Sequence, residues 1–178
     1  MTGFDNREGL SVGRYMQMSI RETEELRVVG RAAAAPHLSS PERGVRTGAV
    51  LTMIDSVGGV NGGLAALPEG WVVSTNLSAR VLAPVRTGPI RIESNVLRRG
   101  RNNVVTAVQL RDEGARDAIV ASGVLTSAIL VPENGPPQWE RPLAIEWSVA
   151  GGTSTRSPSA TSCLSPATVI VPLPLTTM

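Results

Sequence analysis

The chain has 178 residues, a formal net charge of +2, and a composition that is 42% hydrophobic but only 3% aromatic. This length predicts one domain of ordinary size, with a core packed by Val, Leu, Ile and Ala rather than by aromatic rings. The small net charge argues against general binding to nucleic acid, although all 17 basic residues are arginines.

The single cysteine and the single histidine restrict the possible chemistry. Cys163 alone excludes an intramolecular disulfide and a zinc site built from cysteines, and His37 alone argues against a histidine-rich metal site. The N-terminus is charged and lacks the apolar centre of a signal peptide. Only residues 47–67 approach the length of a membrane span, and Asp55 and several glycines interrupt them. We therefore expect a soluble, cytoplasmic protein with no membrane span and no bound metal.

The predicted elements, in chain order, are two strands, one long helix and four more strands. The strands are predicted at residues 16–22, 25–34, 72–82, 90–96, 104–110 and 118–131, and the helix at 47–67. In the third strand, alternation places Leu77 and Ala79 on one face and Ser74 on the other. Short connections between the last four strands predict an antiparallel meander, so the fold class is α+β with one helix covering a sheet.

The two ends of the chain differ in character from its middle. We expect residues 1–13 to be an N-terminal extension and residues 14–131 to form the folded domain. Residues 132–178 are rich in Pro, Ser and Thr, and Arg156 is the only charge after residue 150. This composition predicts a flexible tail, with a stub of a further module or a divergent end as alternatives.

Residues 47–67 read TGAVLTMIDSVGGVNGGLAAL, with four glycines near the end and a single charge at Asp55. The chain has no Lys for a Walker-type phosphate loop, and the glycine spacing does not fit a dinucleotide fingerprint. A helix turns about 100° per residue, which predicts one stripe of small residues around the carboxylate. The residues within about 60° of Asp55 are Gly48, Thr52, Gly59 and Gly62.

This predicted helix is apolar on every side, which indicates burial. A carboxylate on a buried helix must be hydrogen-bonded or protonated, so Asp55 either binds a neighbouring backbone as a structural group or belongs to a functional site. The glycines predict a close approach to another backbone or to a ligand.

Several segments within roughly residues 14–131 resemble those of a known family. The stretch PHLSSPERGVRTGAVLTMID and the turns LAPVRTG and RRGR resemble the phenylacetate-pathway (PaaI-type) acyl-CoA thioesterases. The resemblance implies a hotdog fold, in which an antiparallel sheet wraps around one long central helix. It also implies hydrolysis of a small or medium acyl thioester, with coenzyme A as part of the substrate and no further cofactor.

The resemblance also assigns roles to individual residues. It implies that Asp55 is the general base or nucleophile, and that a backbone N–H of Thr47 or Gly48 polarises the thioester carbonyl at the helix start. The residues that it assigns to substrate binding are Ser40, Arg46, Arg98, Arg99, Gly100 and Arg101, of which the last four form a turn for the CoA phosphates. Sites of this family lie between subunits, which implies a homodimer or a homotetramer built as a dimer of dimers.

Three positions depart from the family pattern: Ser40 stands in place of Asn, and Arg46 and Thr47 in place of His and Gly. These changes leave an alternative, a catalytically divergent hotdog protein that binds acyl-CoA or acts as a dimerisation module. A hotdog dehydratase would need a catalytic histidine, and His37 lies in the loop before the helix. Ser56, next to Asp55, lacks the partners of a catalytic triad.

Overall fold

A computed structural model describes residues 12–131 and 142–146. A short helix, α1 (Val12–Tyr15), begins this part of the chain, and the long helix α2 spans Thr47–Ala66. The strands are β1 (Met18–Glu24), β2 (Arg27–Ala32), β3 (Ser39–Ser40), β4 (Gly44–Val45), β5 (Trp71–Val81), β6 (Ile90–Arg99), β7 (Asn103–Asp112), β8 (Ala118–Leu130) and β9 (Ala144–Glu146). The predicted helix and all six predicted strands are therefore present, with ends shifted by a few residues.

One antiparallel sheet forms most of the described structure, with seven strands in the order β5-β8-β7-β6-β2-β1-β9. Helix α2 packs against one face of this sheet, mainly against β5, β6, β7 and β8. The core lies between them and includes the fully buried Ile54, Ile92, Leu110 and Leu125. The predicted α+β class and the predicted hotdog arrangement, a sheet around one long helix, are confirmed.

The predicted four-stranded meander is wrong for β5. Strands β6, β7 and β8 do form consecutive antiparallel pairs, and β8 lies between β7 and β5. However, β5 pairs with β8 and not with β6, so residues 82–89 cross the ends of two strands instead of forming a hairpin. The short length of this connection was a misleading signal, because it runs along the end of the sheet.

The buried carboxylate of Asp112, at the end of β7, fixes this crossover. Its oxygens accept hydrogen bonds from the backbone N–H groups of Arg86, Thr87 and Gly88 at 2.8–3.2 Å. Earlier in the crossover, the Leu82 N–H donates to the Val120 carbonyl of β8 at 2.8 Å. The chain is therefore held first to β8 and then to β7 before it enters β6.

Part of the predicted tail belongs to the sheet. Strand β9 pairs with β1, and the neighbouring Leu143 is only 7% exposed within the core. The tail composition predicted no strand here, because a three-residue strand is too short to show periodicity. The rest of the predicted tail, with Cys163 and Arg156, and residues 1–11 of the predicted extension lie outside the described residues.

Helix α2 is long and apolar enough to cross a membrane, judged by length and composition only. Of its most apolar stretch of 18 residues, 61% is buried inside the structure. A buried core helix meets the same criterion, so this property of α2 is weak evidence for a membrane span.

Candidate active site

Helix α2 has one face against the sheet and one face without a cover in the described structure. Met53, Ile54 and Val57 on the sheet side are fully buried, whereas Gly48 and Asp55 are exposed. The expectation that the helix is buried on every side is therefore wrong for the single chain, because the seven-stranded sheet covers only one side of the helix. The carboxylate at Asp55 lies on the uncovered face.

A side chain on the neighbouring edge strand holds Asp55. The hydroxyl of Ser74, on β5, donates a hydrogen bond to Asp55 Oδ1 at 2.6 Å. The β5–β8 pairing is irregular between Ser74 and Asn76, where β5 contains a bulge. A bulge inserts one residue into the alternation, so Ser74 faces the helix together with Leu77, contrary to the predicted alternation.

The start of α2 presents backbone N–H groups that have no hydrogen-bond partner among residues 12–131 and 142–146. The first intrahelical bond runs from the Val50 N–H to the Arg46 carbonyl at 3.1 Å, which leaves the Thr47 and Gly48 N–H groups free. No side chain caps them. Both residues are exposed, so a carbonyl oxygen of a ligand can reach these donors.

The loop before α2 orients its first residues. Arg46 is the N-terminal flanking residue of the helix, and its guanidinium donates to the His37 carbonyl at 3.4 Å rather than to Asp55. His37 itself is bound through Nε2 to the Tyr15 carbonyl at 2.7 Å, and its ring lies edge-on to the Tyr15 ring. These contacts give His37 a structural role that joins α1 to the helix start. Ser40 lies in β3, beside a cavity of the same region.

The turn between β6 and β7, with the predicted phosphate-binding residues, lies at the opposite end of α2. Arg99 Nε donates to the Ala65 carbonyl at 2.7 Å, and its guanidinium pairs with Glu69 at 2.5 Å. Arg98 and Arg101 are exposed in the same turn. A 20-residue helix is about 30 Å long. The turn and the helix start of one chain are therefore too far apart to bind the same small group of a ligand.

The predicted site residues therefore fall into three groups along α2. Ser40, Arg46, Thr47 and Gly48 lie at its start, Asp55 lies near its middle, and the turn of Arg98, Arg99, Gly100 and Arg101 lies at its end. Sequence reasoning missed Ser74, because the bulge that turns it toward the helix leaves no mark in the residue pattern. In the described part of the chain, no group of three or more His, Cys, Asp or Glu residues could hold a metal ion.

Comparisons with known proteins agree with this architecture. The family profile described as "Thioesterase superfamily" matches residues 45–119, from β4 through α2 to the start of β8. Among solved structures, a thioesterase of Haemophilus influenzae is 20% identical over 68% of this chain and 84% of its own, with a TM-score of 0.63. These comparisons establish the hotdog fold of the chain.

Other solved structures are similar to the same degree. A variant of a thioesterase from Pseudomonas aeruginosa is 17% identical over 68% of this chain and 86% of its own, with a TM-score of 0.62. A variant of a thioesterase from Staphylococcus aureus is 16% identical over 66% and 96%, with a TM-score of 0.59. At such identities the likeness establishes the fold alone. A comparison with curated proteins gives no match.

Proposed function

We propose that this hotdog protein is a PaaI-type thioesterase that hydrolyses a small or medium acyl-CoA with Asp55. The observation that carries the proposal is the placement of the only charged side chain of α2. Asp55 is exposed on the uncovered face, and Ser74 holds one of its oxygens at 2.6 Å. Asp112 is a structural carboxylate and differs in both respects: it is buried, and three backbone N–H groups donate hydrogen bonds to its oxygens.

The proposed chemistry needs water as the only co-reactant. As a general base, the second oxygen of Asp55 removes a proton from water while the water oxygen attacks the thioester carbon. The N–H of Thr47 or Gly48 stabilises the negative charge that forms on the carbonyl oxygen. The C–S bond then breaks, and the leaving thiolate takes the proton from Asp55. As a nucleophile, Asp55 would instead attack the thioester carbon and expel the CoA thiolate to form an acyl anhydride, which water then hydrolyses to the free acid and the regenerated carboxylate.

Helix geometry argues that each site uses two copies of the chain. Thr47 and Asp55 are eight residues apart, which corresponds to about 12 Å along a helix axis. Reacting groups must approach to about 3–3.5 Å, so a carbonyl held at Thr47 lies too far from Asp55 of the same chain. Asp55 of one copy is proposed to act together with the helix start of the other.

The two edges of the sheet support the same arrangement. Strand β9 covers β1, whereas β5, with 11 residues, has no strand on its outer side in the described part of the chain. A long uncovered edge favours pairing with another strand. Two copies related by a two-fold axis would pair β5 antiparallel and place their α2 helices in opposite directions. The proposed assembly is a homodimer, or two such dimers in a tetramer.

The proposal predicts that the Asp55→Asn variant loses most of its thioesterase activity. Removal of the base or nucleophile should lower kcat/KM for a panel of short and medium acyl-CoA substrates by about 10²-fold or more. The measurement is the release of free thiol by purified protein. Glu25→Gln, which neutralises an exposed carboxylate in the β1–β2 turn, is the matched control and should retain wild-type rates.

Equal rates for wild type and Asp55→Asn would contradict the proposed role of this residue. If neither protein releases thiol although wild type binds acyl-CoA, the alternative of a non-catalytic acyl-CoA-binding hotdog protein replaces the hydrolase.

The two-copy site predicts complementation between two inactive variants. Thr47→Pro removes one N–H donor at a position where helices tolerate Pro, and the extended Arg46 (φ −65°, ψ 143°) suits a residue before Pro. Loss of one such donor should lower kcat by about 10²–10³-fold. A refolded mixture of Thr47→Pro and Asp55→Asn chains should regain up to about a quarter of wild-type activity, because mixed dimers contain one intact site.

Failure of the mixture to regain activity, with mixed dimers demonstrated by native mass spectrometry, would contradict the shared site. Full activity of Thr47→Pro alone would assign the carbonyl contact to the Gly48 N–H.

A further inference from the structure

A surface pocket of about 380 Å³ is lined by residues of the β3–β4 ribbon and of the crossover, in the region of the chain that precedes α2. Its lining includes the hydroxyl-bearing Ser39 and Ser40 and the cation of Arg86. Gly44 lets the crossover lie against the ribbon, since a Cβ there would be 2.1 Å from the Val85 carbonyl oxygen. This contact positions Arg86 at the pocket, although Arg86 is 42 residues from Gly44 in sequence.

Three arginines of the ribbon, the helix start and the crossover have side chains that no described carboxylate pairs with, and one of them, Arg86, lines the pocket. The guanidinium groups of Arg43, Arg46 and Arg86 have no carboxylate oxygen within 4.0 Å in the described part of the chain, although the backbone N–H of Arg86 donates to the buried Asp112. Two of them contact neutral groups, since Arg86 donates to the Glu42 carbonyl at 3.3 Å and Arg46 donates to the His37 carbonyl at 3.4 Å. The group therefore carries three positive charges, with Glu42 as the only acidic residue within its loop.

Several arginines on other surfaces of the molecule do have carboxylate partners. On the outer face of the sheet, Arg91 and Arg111 share Asp117 and Glu93. At the end of α2, Arg99 is held by Glu69 and by the Ala65 carbonyl. In the predicted phosphate-binding turn, Arg99 is thus already occupied, whereas Arg98 and Arg101 have no carboxylate partner among the described residues. The arginines before α2 share that property, and their group also adjoins the pocket lined by Arg86, Ser39 and Ser40.

We infer that Arg43, Arg46 and Arg86 bind the phosphate groups of the CoA substrate, an inference that rests on the proposed function. Coenzyme A carries a diphosphate and a ribose phosphate, and arginine pairs with phosphate through two parallel N–H donors. The hydroxyl of Ser40, which has no partner among the described residues, provides a further donor. The start of α2 adds to the positive potential at this end of the molecule. The same end then binds both the thioester carbonyl and the phosphates.

The test compares two substrates that share the thioester and the pantetheine arm, of which only one carries the phosphates and the adenosine of coenzyme A. An acyl-CoA and the same acyl group on pantetheine present one thioester, but pantetheine lacks every phosphate. For the double variant Arg43→Ala, Arg86→Ala, we expect KM for acyl-CoA to rise about 10-fold or more, because both substitutions remove charge-assisted hydrogen bonds to phosphate. Its kcat for acyl-CoA and both constants for acyl-pantetheine should stay near the wild-type values.

Arg80→Ala is the matched control, because Arg80 is an exposed arginine on β5 without a carboxylate partner in the described residues. An unchanged KM for acyl-CoA in the double variant, or an equal rise for both substrates, would overturn the inference. A rise in KM confined to the pair Arg98→Ala, Arg101→Ala would overturn it in favour of the β6–β7 turn.

Calorimetric titration with free CoA separates this inference from the proposed function. If wild type hydrolyses neither substrate, the proposed hydrolase fails, but weaker CoA binding by the double variant would still support the phosphate subsite. Equal CoA affinities of wild type and double variant would contradict the subsite whatever the activity.

Discussion

The two faces of α2 are made of similar residues but have different tasks. On the sheet side, a Cβ placed at Gly58 would lie 3.0 Å from Val108 and 3.1 Å from Leu125. On the other side, a Cβ placed at Gly48 or Gly59 would meet no atom within 4 Å. Glycine thus permits close packing on one face and leaves open space on the other. Glycine therefore lies in the core at position 58 and on the face of the candidate site at position 59.

Ile54 and Asp55 show the contrast at adjacent positions. Ile54 is fully buried between α2 and the sheet, whereas Asp55 is exposed and bound by Ser74. Residues next to each other on a helix point about 100° apart, so one step along the chain passes from the core to the uncovered face. Changes at Ile54 should affect folding, and changes at Asp55 should affect chemistry.

The largest effect on stability is expected at the buried face. Ile54→Ala removes three buried carbon atoms and should lower the free energy of unfolding by about 2–5 kcal/mol, measured by urea denaturation. Asp55→Asn, at an exposed position, should change the same free energy by less than about 0.5 kcal/mol while activity is lost. A strongly destabilised Asp55→Asn protein would show that the carboxylate has a structural role. It would contradict the assignment of Ile54 to folding and of Asp55 to chemistry.

The sequence predicts the six longer strands and α2, because their patterns are local, but it does not predict the short elements α1, β3, β4 and β9. The helix prediction of residues 47–67 needed only periodicity and the single charge at Asp55. The pairing of β5 with β8 could not be predicted in this way. It depends on contacts between distant residues, namely the Asp112 carboxylate with the crossover and the Val120 carbonyl with Leu82.

The candidate site, like the fold, could be predicted from the sequence only in part. Asp55 stood out because a carboxylate on an apolar helix requires an explanation. Ser74 did not, since strict alternation assigned it to the wrong face, and one bulged residue reverses that assignment. The position of Arg99 was also hidden. A charged turn gives no sign that one of its arginines binds the Ala65 carbonyl at the end of a helix 34 residues earlier.

The smallest expected effects come from a matched pair of glycine substitutions. Gly58→Val adds atoms where Val108 and Leu125 leave no space, and such overpacking should lower the free energy of unfolding by about 1–3 kcal/mol. Gly59→Val adds the same atoms to open space and should change it by less than about 0.5 kcal/mol, because Val forms helix slightly better than Gly. Denaturant titration of both variants over a range of protein concentrations measures the difference. Equal destabilisation by the two variants would mean that another molecule packs tightly on Gly59 in solution. The face of α2 that is uncovered in the single chain would then be a closed interface, without room for substrate beside Asp55.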